Sequence, residues 1–234
     1  MNLFNVCSEL SGNAYPGRGI VIGRSEDGQR AVLIYFIMGR SENSRNRIFV
    51  PDEDGIRTEA FDQSKITDPS LIIYHPVRLY DGHIIVSNGD QTDTIRDNML
   101  ADNSFHASLS KREFEPDAPN YTPRISGLIL PDGSYKMSIL KTRDGDPTCC
   151  CRNFFEYDSS IVGAGHFIHT YIGDGDPIPS FVGEPKPVAI TGSLQEFANS
   201  IWNSLNADNR VSLYGLAKDI QTGITESLII NKNC

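Results

Sequence analysis

Short apolar runs separated by turn residues predict an α+β fold of mostly antiparallel sheets covered by a few helices. Three observations carry this. Apolar segments of strand length recur in pairs joined by Gly-containing turns, the pattern of hairpins. Only two stretches have the length or spacing of substantial helices. No Pro/Ser-rich linker or shift in composition divides the 234 residues, of which 39% are hydrophobic and 22% charged, so residues 1–234 read as one domain.

In chain order, Gly19–Gly23 and Arg30–Met38 form a hairpin through Arg24-Ser-Glu-Asp-Gly-Gln29. Ser70–Tyr74 and His83–Ser87 are expected as strands, with a turn at Tyr80-Asp-Gly82 between them. Arg124–Leu130 and Tyr135–Leu140 flank Pro131-Asp-Gly133, Phe154–Tyr157 and Gly165–Tyr171 read as further strands, and Val211–Lys218 with Ser227–Asn231 close a sheet. A helix is expected from Asp93 to about Ser110, capped by Asp90 or Thr92, and a short one near Asp62 or Asp68. In Leu194–Leu205, behind a Thr191 or Ser193 cap, Leu194, Phe197, Ala198, Ile201, Trp202 and Leu205 recur at helical spacing and define one core-facing side. Asp144-Gly-Asp-Pro147 and Asp174-Gly-Asp-Pro177 read as tight turns; the further carboxylates and closing Glu of a calcium loop are missing.

The net charge of −9 and pI of about 5.0 argue against a binder of polymeric nucleic acid, which needs a basic face. No apolar run approaches the ~20 residues of a membrane helix, and the N-terminus lacks a basic leader with a long apolar region. Five cysteines, three of them consecutive at Cys149–Cys151, suit free thiols in a reducing compartment. A cytoplasmic protein is expected.

Four polar segments could carry chemistry. Tyr15-Pro-Gly-Arg-Gly19 precedes a strand, so it is neither a dinucleotide fingerprint nor a P-loop; it can bring backbone close to a ligand and present Arg18. Gly39-Arg-Ser-Glu-Asn-Ser-Arg-Asn-Arg47 follows an apolar strand. Between Tyr15 and Val50 stand six Arg, no Lys and three acids, a local reversal of the overall charge. Guanidinium groups bind oxyanions bidentately, so this region reads as a phosphate site for a small molecule. Ser87-Asn-Gly-Asp-Gln-Thr-Asp93 lies at a strand-to-helix junction, where side chains cap the helix or its N–H groups meet an acceptor. Glu113-Phe-Glu-Pro-Asp-Ala-Pro-Asn-Tyr-Thr-Pro-Arg-Ile125 is stiffened by three prolines and carries acids and Arg124 into a strand. His166 and His169, three apart in a strand-like stretch, point to opposite faces and make a poor metal pair.

In this order, Tyr15-Pro-Gly-Arg-Gly19, Gly39-Arg-Ser41 with Ser44-Arg-Asn-Arg47, Ser87-Asn-Gly89 with Thr92-Asp93, and Thr122-Pro-Arg-Ile125 resemble the archaeal-type inosine monophosphate (IMP) cyclohydrolases and their bacterial relatives, over roughly residues 13–130. The Arg40 loop is longer here between Ser41 and Asn46. The resemblance implies a four-layer αββα sandwich similar to N-terminal nucleophile hydrolases. It also implies the last ring closure of purine biosynthesis, in which 5-formamidoimidazole-4-carboxamide ribonucleotide loses water to give IMP. The Met1-Asn2 start offers no N-terminal nucleophile once Met is removed.

That reaction suits these residues. The carboxamide nitrogen attacks the formyl carbon within one molecule, so no metal, cofactor or nucleophilic side chain is required. A donor aimed at the developing oxyanion and a base for the poor amide nucleophile are the useful groups. Tyr74, Arg40, Arg124 and Glu115 or Asp117 are the expected catalytic residues. Arg18, Ser41, Asn46, Arg47, Asn88 and Thr92 are expected to bind the purine ribonucleotide. A homo-oligomer is allowed but not required. Two other readings stand beside this one: a related amidohydrolase acting through Cys7, and a non-catalytic protein that binds purine nucleotides.

Overall fold

The computed structural model describes residues 2–66, 69 and 71–234. Its strands are β1 (Arg18–Arg24), β2 (Arg30–Met38), β3 (Arg47–Asp52), β4 (Gly55–Ala60), β5 (Val77–Tyr80), β6 (His83–Ser87), β7 (Arg124–Ile129), β8 (Tyr135–Arg143), β9 (Asp146–Tyr157), β10 (Ala164–His169), β11 (Lys186–Ala189), β12 (Arg210–Asp219) and β13 (Thr225–Asn231). The α-helices are α1 (Val6–Ser11), α2 (Glu42–Arg45), α3 (Gln91–Leu100), α4 (Phe105–Leu109) and α5 (Leu194–Ser204).

Two antiparallel sheets result. One is a meander in chain order, β3-β4-β5-β6-β7-β8-β9; the other runs β11-β10-β1-β2-β12-β13. The two-residue turns Asp81-Gly82 and Asp144-Gly145 hold both residues at positive φ, 45° and 73° in the first, 53° and 84° in the second. This is the hairpin turn whose twist matches the flanking strands, and it explains why Asp-Gly punctuates the sequence there.

Strand β2 shows why its eight-residue apolar run does not alternate with polar residues. Ala31, Leu33, Tyr35 and Ile37 join Ile20 and Ile22 of β1 in a cluster shared with Val86, Ile125, Met137 and Ile139 of the seven-stranded sheet. The intervening Val32, Ile34, Phe36 and Met38 join Val6 and Leu10 of α1 and Phe197 and Ile201 of α5. Both faces of the strand are covered, so both must be apolar. A third cluster sets Ile95 of α3 and Phe105 and Leu109 of α4 against Ile85, Leu128 and Leu140 of the seven-stranded sheet.

Three expectations change. Residues 71–74 form a turn, and the strand pairing with β6 is β5; Ser70 lies outside the described residues. Tyr74 is nevertheless fixed as a strand residue would be, since its N–H donates to Thr58 Oγ1 and its C=O accepts the Thr58 N–H. The helix expected over Asp93–Ser110 is divided into α3 and α4, with Ser104 capping the second by accepting the Ala107 N–H. Asp90 is the N-cap residue of α3 but makes no side-chain cap bond, because its carboxylate is taken by Arg112 and Arg124. The short helix expected near Asp62 is present, as one turn at Gln63–Lys65 capped by the Asp62 side chain; the other position offered for it, Asp68, lies outside the described residues.

The predicted α5 is present with a reciprocal cap, Ser193 accepting the Glu196 N–H and Glu196 accepting the Ser193 N–H. Replacing that cap leaves an orphan N–H at the helix start. Ser193→Ala is expected to lower the unfolding free energy by about 1 kcal/mol. Urea unfolding measures it, and an unchanged midpoint would show that the cap contributes nothing.

Candidate active site

At one end of the seven-stranded meander, antiparallel pairing brings the start of β3, the end of β4, the end of β6 and the start of β7 side by side. Arg47 is opposite Ala60, Val77 opposite Val86, and Ser87 opposite Ser126. Arg47, Tyr74, Asn88 and Arg124 therefore gather at that end although the sequence spreads them widely. The other sheet contributes Arg18, opposite Ile37 at the start of β1. Arg18 is fastened to the chain after β10: its N–H donates to Thr170 Oγ1 at 3.1 Å and its C=O accepts the Thr170 N–H at 3.0 Å.

The result is a group of charged and phenolic side chains sealed from solvent. Arg47 is 0% exposed, Tyr35 0%, Glu115 2%, Tyr74 6% and Arg18 9%. Arg47 donates from Nε to the Ser44 carbonyl at 2.8 Å and reaches the Met38 carbonyl at 3.4 Å. Its Nη1 and the Nε of Arg18 are buried with no protein partner. Among the described residues no carboxylate lies within ion-pair distance of Arg47; Arg18 has Glu115, at 4.0 Å. Burial, and then the like charge of Arg18, hold the Arg47 guanidinium below its ordinary value, against the opposing pull of Tyr74 and Tyr35. Among the described residues one guanidinium thus has a single carboxylate at 4.0 Å and the other has none within ion-pair distance, an arrangement that a dianionic oxyanion would balance.

Glu115 is the member of this group that titrates near neutrality. Burial raises it to about 7, with Arg18, Arg124 and Arg47 pulling down and Asp117 pushing up. Burial also opposes the Arg18 charge, but Glu115 and the neighbouring tyrosines outweigh it and the guanidinium is held above its ordinary value. Asn88 Nδ2 reaches Glu115 Oε1 at 3.4 Å. Tyr74 and Tyr35 share a hydroxyl–hydroxyl hydrogen bond of 2.9 Å. Burial raises both phenols, so both keep their protons at neutral pH. If Tyr35 donates, the Tyr74 proton is left for another acceptor.

The other expected site residues are placed as follows. Arg40 is exposed; it pairs with Asp174 at 2.5 Å, donates to the Gly175 carbonyl at 2.8 Å, and lies 5.2 Å above the Tyr15 ring. Ser41 is exposed and caps α2. The Asn46 amide is spent on the Asp62 backbone, donating to its C=O and accepting its N–H, both at 2.8 Å. Besides Glu115, Asn88 donates to the Pro123 carbonyl and accepts from the Ile125 N–H and the Gln91 amide. Thr92 is buried against Ser87 and the Gly89 carbonyl. Strand alternation sets Arg124 with Leu128 on the helix-covered face, where it donates to Asp90 and Gln91. Asp117 accepts both the N–H and the hydroxyl of Thr122. Cys7, in α1, packs on the face of the six-stranded sheet opposite to Tyr35.

Sequence reading missed Tyr35, Thr122 and Tyr171 as site residues. Tyr35 carried a signal: a tyrosine inside a strand buried on both faces must find a hydroxyl partner. Tyr171 carried none, because its neighbours in space, Tyr15 and Thr122, are far away in the chain.

Buried cations, a carboxyl raised toward neutrality and protonated phenols are groups able to bind an anion and exchange protons, as an enzyme site does. Comparison with known proteins narrows the class. The model of the IMP cyclohydrolase-like protein family matches residues 15–223, and the chain belongs to that family. It is 30% identical over 146 residues to the IMP cyclohydrolase of Methanopyrus kandleri, covering 56% of this chain and 71% of that one. It is 30% identical over 131 residues to that of Halobacterium salinarum, covering 54% of this chain and 63% of the relative, less than two thirds of its length. With the IMP cyclohydrolase of Methanococcus aeolicus it shares 24% over 166 residues, 63% of this chain and 81% of the relative.

The raised Glu115 fixes a stability consequence. The folded protein holds this proton up to about pH 7, the unfolded chain only to about 4.5. Between those values the folded state binds more protons, so stability falls as pH rises. Glu115→Gln has no proton to lose. It is expected to exceed the wild type by on the order of 3 kcal/mol at about pH 8 and to converge with it near pH 4. Urea unfolding at the two pH values decides; a difference independent of pH would contradict the assignment.

Proposed function

We propose that this chain is an IMP cyclohydrolase, closing the purine ring of 5-formamidoimidazole-4-carboxamide ribonucleotide with loss of water. One observation beyond family membership carries the reading: Arg18 and Arg47 are both buried, each has a guanidinium nitrogen with no partner among the described residues, and only Arg18 has a carboxylate within 4.0 Å. The 5′-phosphate supplies the missing negative charge, with Arg40 guarding the rim above Tyr15.

The chemistry follows from where the protons must go. As the carboxamide nitrogen attacks the formyl carbon, the formyl oxygen gains charge, and Tyr74 donates to it. Ionised Glu115 accepts a proton from the attacking nitrogen. The same group, now protonated, returns it to the hydroxyl of the tetrahedral adduct, which leaves as water. Tyr74 completes that hydroxyl with its own phenolic proton, and regains one from the formamide nitrogen as the new C=N bond forms. A carboxyl titrating at about 7 is available in both forms at neutral pH, as this exchange requires. Asp117 is committed to Thr122, which favours Glu115 as the base. Asn88 and Thr92 hold Glu115 and the start of α3 in place, and Arg124 adds positive charge behind them.

The finer architecture goes with this reading. Three apolar clusters, one between the sheets and one under each set of helices, support the four-layer αββα sandwich similar to N-terminal nucleophile hydrolases. The cluster common to both sheets supports a single domain over residues 1–234. Five free cysteines support a reducing, cytoplasmic setting, and among the described residues no helix is long and apolar enough to cross a membrane. The acidic net charge favours a nucleotide over polymeric nucleic acid. Cys7, on the opposite face of its sheet, gives no support to thiol chemistry.

Cyclisation is followed by the ultraviolet change on forming the purine ring. Glu115→Gln is expected to lose about 100-fold or more in kcat while retaining IMP affinity. Tyr74→Phe is expected to lose about 100-fold in kcat. Full turnover in both variants would remove these residues from the chemistry. For Arg47→Met, IMP affinity measured by calorimetry is expected to fall at least about tenfold, the loss of a charge-assisted hydrogen bond, while stability stays within about 1 kcal/mol because a buried cation without a carboxylate partner costs desolvation. Unchanged affinity would place the phosphate elsewhere.

A further inference from the structure

The segment between β2 and β3 carries three arginines, Arg40, Arg45 and Arg47. The proposed function uses Arg47 in the site and Arg40 at its rim, and leaves Arg45 without a task. Arg45 is exposed, yet its guanidinium is committed twice: Nε donates to the Gly39 carbonyl at 3.0 Å and Nη2 to Asn209 Oδ1 at 2.8 Å. The backbone carbonyl of Asn209, just ahead of β12, accepts the Gly39 N–H at 2.8 Å. Arg45 and Asn209 thus hold Gly39 by both of its backbone groups. The Arg45 carbonyl accepts in turn from the Asn233 amide at 3.0 Å.

The two carbonyls that hold the Arg47 guanidinium lie on either side of this knot. Arg47 Nη2 reaches the Met38 carbonyl at 3.4 Å, and that carbonyl belongs to the same planar peptide as the Gly39 N–H that Asn209 accepts. Arg47 Nε donates to the Ser44 carbonyl at 2.8 Å, and Ser44 immediately precedes Arg45. No residue of α2 is buried, so burial does not fix that carbonyl. It rests instead against Gly39: a Cβ at position 39 would stand 2.8 Å from the Ser44 carbonyl carbon and 2.9 Å from its oxygen. Only a residue without a side chain leaves that seat open, and the Arg45 bond to the Gly39 carbonyl closes α2 down onto it.

We propose that Arg45 and Asn209 are positioning residues for Arg47: through Gly39 they set the Met38 and Ser44 carbonyls, which aim the buried guanidinium into the site. Its importance for ligand uptake rests on the cyclohydrolase reading, but the arrangement exists in the free protein and is tested there first. With arginine labelled by nitrogen-15 at Nε, the Arg47 Nε–H signal is identified by its loss in Arg47→Met, and its hydrogen exchange is followed by NMR. Arg45→Met keeps most of the stem and removes the guanidinium. It is expected to speed Arg47 Nε–H exchange at least about tenfold, the weight of one hydrogen bond, while backbone amides of β7 and β8 keep their wild-type rates. Asn209→Leu is expected to act in the same direction, and Asn209→Asp, which keeps an acceptor for Arg45, to stay at the wild-type rate. An unchanged Arg47 rate in Arg45→Met, or a rise shared equally by the β7 and β8 amides, would overturn the proposal.

IMP affinity by calorimetry gives the second readout. Arg45→Met is expected to weaken binding about tenfold on its own and to add no loss to Arg47→Met, as for a residue that acts through its neighbour. Additive losses would make Arg45 a direct ligand of the anion and contradict the positioning role. If the wild type binds no IMP, the functional reading falls, and the exchange rates decide for or against Arg45 by themselves.

Discussion

Two guanidinium groups, those of Arg18 and Arg47, are withdrawn from water, and among the described residues only Arg18 has a carboxylate within 4.0 Å. Burying a charge without a partner is costly, and a fold tolerates it only where something else holds the groups in place. Here the sheets do so. Arg18 and Arg47 begin strands that send Ile20, Ile22 and Phe49 into the apolar cluster between the sheets, which anchors the backbone from which both side chains project. Glu115 is held by the Thr122 carbonyl, which accepts its N–H, and by Asn88. In the proposed function, the unmet demand for negative charge at these two cations is what favours an anionic substrate.

The same imbalance sets the acid–base behaviour. In water Glu115 would be fully ionised at neutral pH. Beside a well-paired arginine in contact it would be more acidic still. At 4.0 Å from Arg18 and almost wholly buried, desolvation wins and the carboxyl is brought to about 7. Its ionisation above neutral pH costs stability, and in the proposed function the same carboxyl accepts and returns a proton. Because ring closure joins two groups of one substrate, placement and proton exchange are the main tasks left to the protein.

Much of this was legible in the sequence. The hairpins of β1–β2, β7–β8 and β12–β13 followed from paired apolar runs, and α5 from its spacing and its Ser193-x-x-Glu196 cap. The excess of arginine before Val50 marked the cationic region, and the family resemblance ordered its motifs. What stayed hidden depends on distance in space. Asn46 and Thr92 looked like ligand groups because of their neighbours in the chain, yet their polar atoms are consumed by Asp62 and by Ser87 with Gly89. Arg40 was expected among the catalytic residues and Arg47 among the binding ones, but Arg40 is exposed and paired with Asp174 whereas Arg47 is at 0% exposure. Strand alternation puts Arg124 with Leu128, but that this face is the helix-covered one followed only from the packing of α3 and α4. The helix break at 101–104 was masked by polar residues compatible with either state. Tyr171 could not be found at all until the chain after β10 was seen against Arg18.

The most direct test of the central claim is a crystal structure with IMP bound. The account predicts phosphate oxygens within hydrogen-bond distance of the guanidinium groups of both Arg18 and Arg47, with the purine carbonyl and ring facing Tyr74 and Glu115. IMP seated on another surface, with Arg47 Nη1 still without a partner, would contradict it.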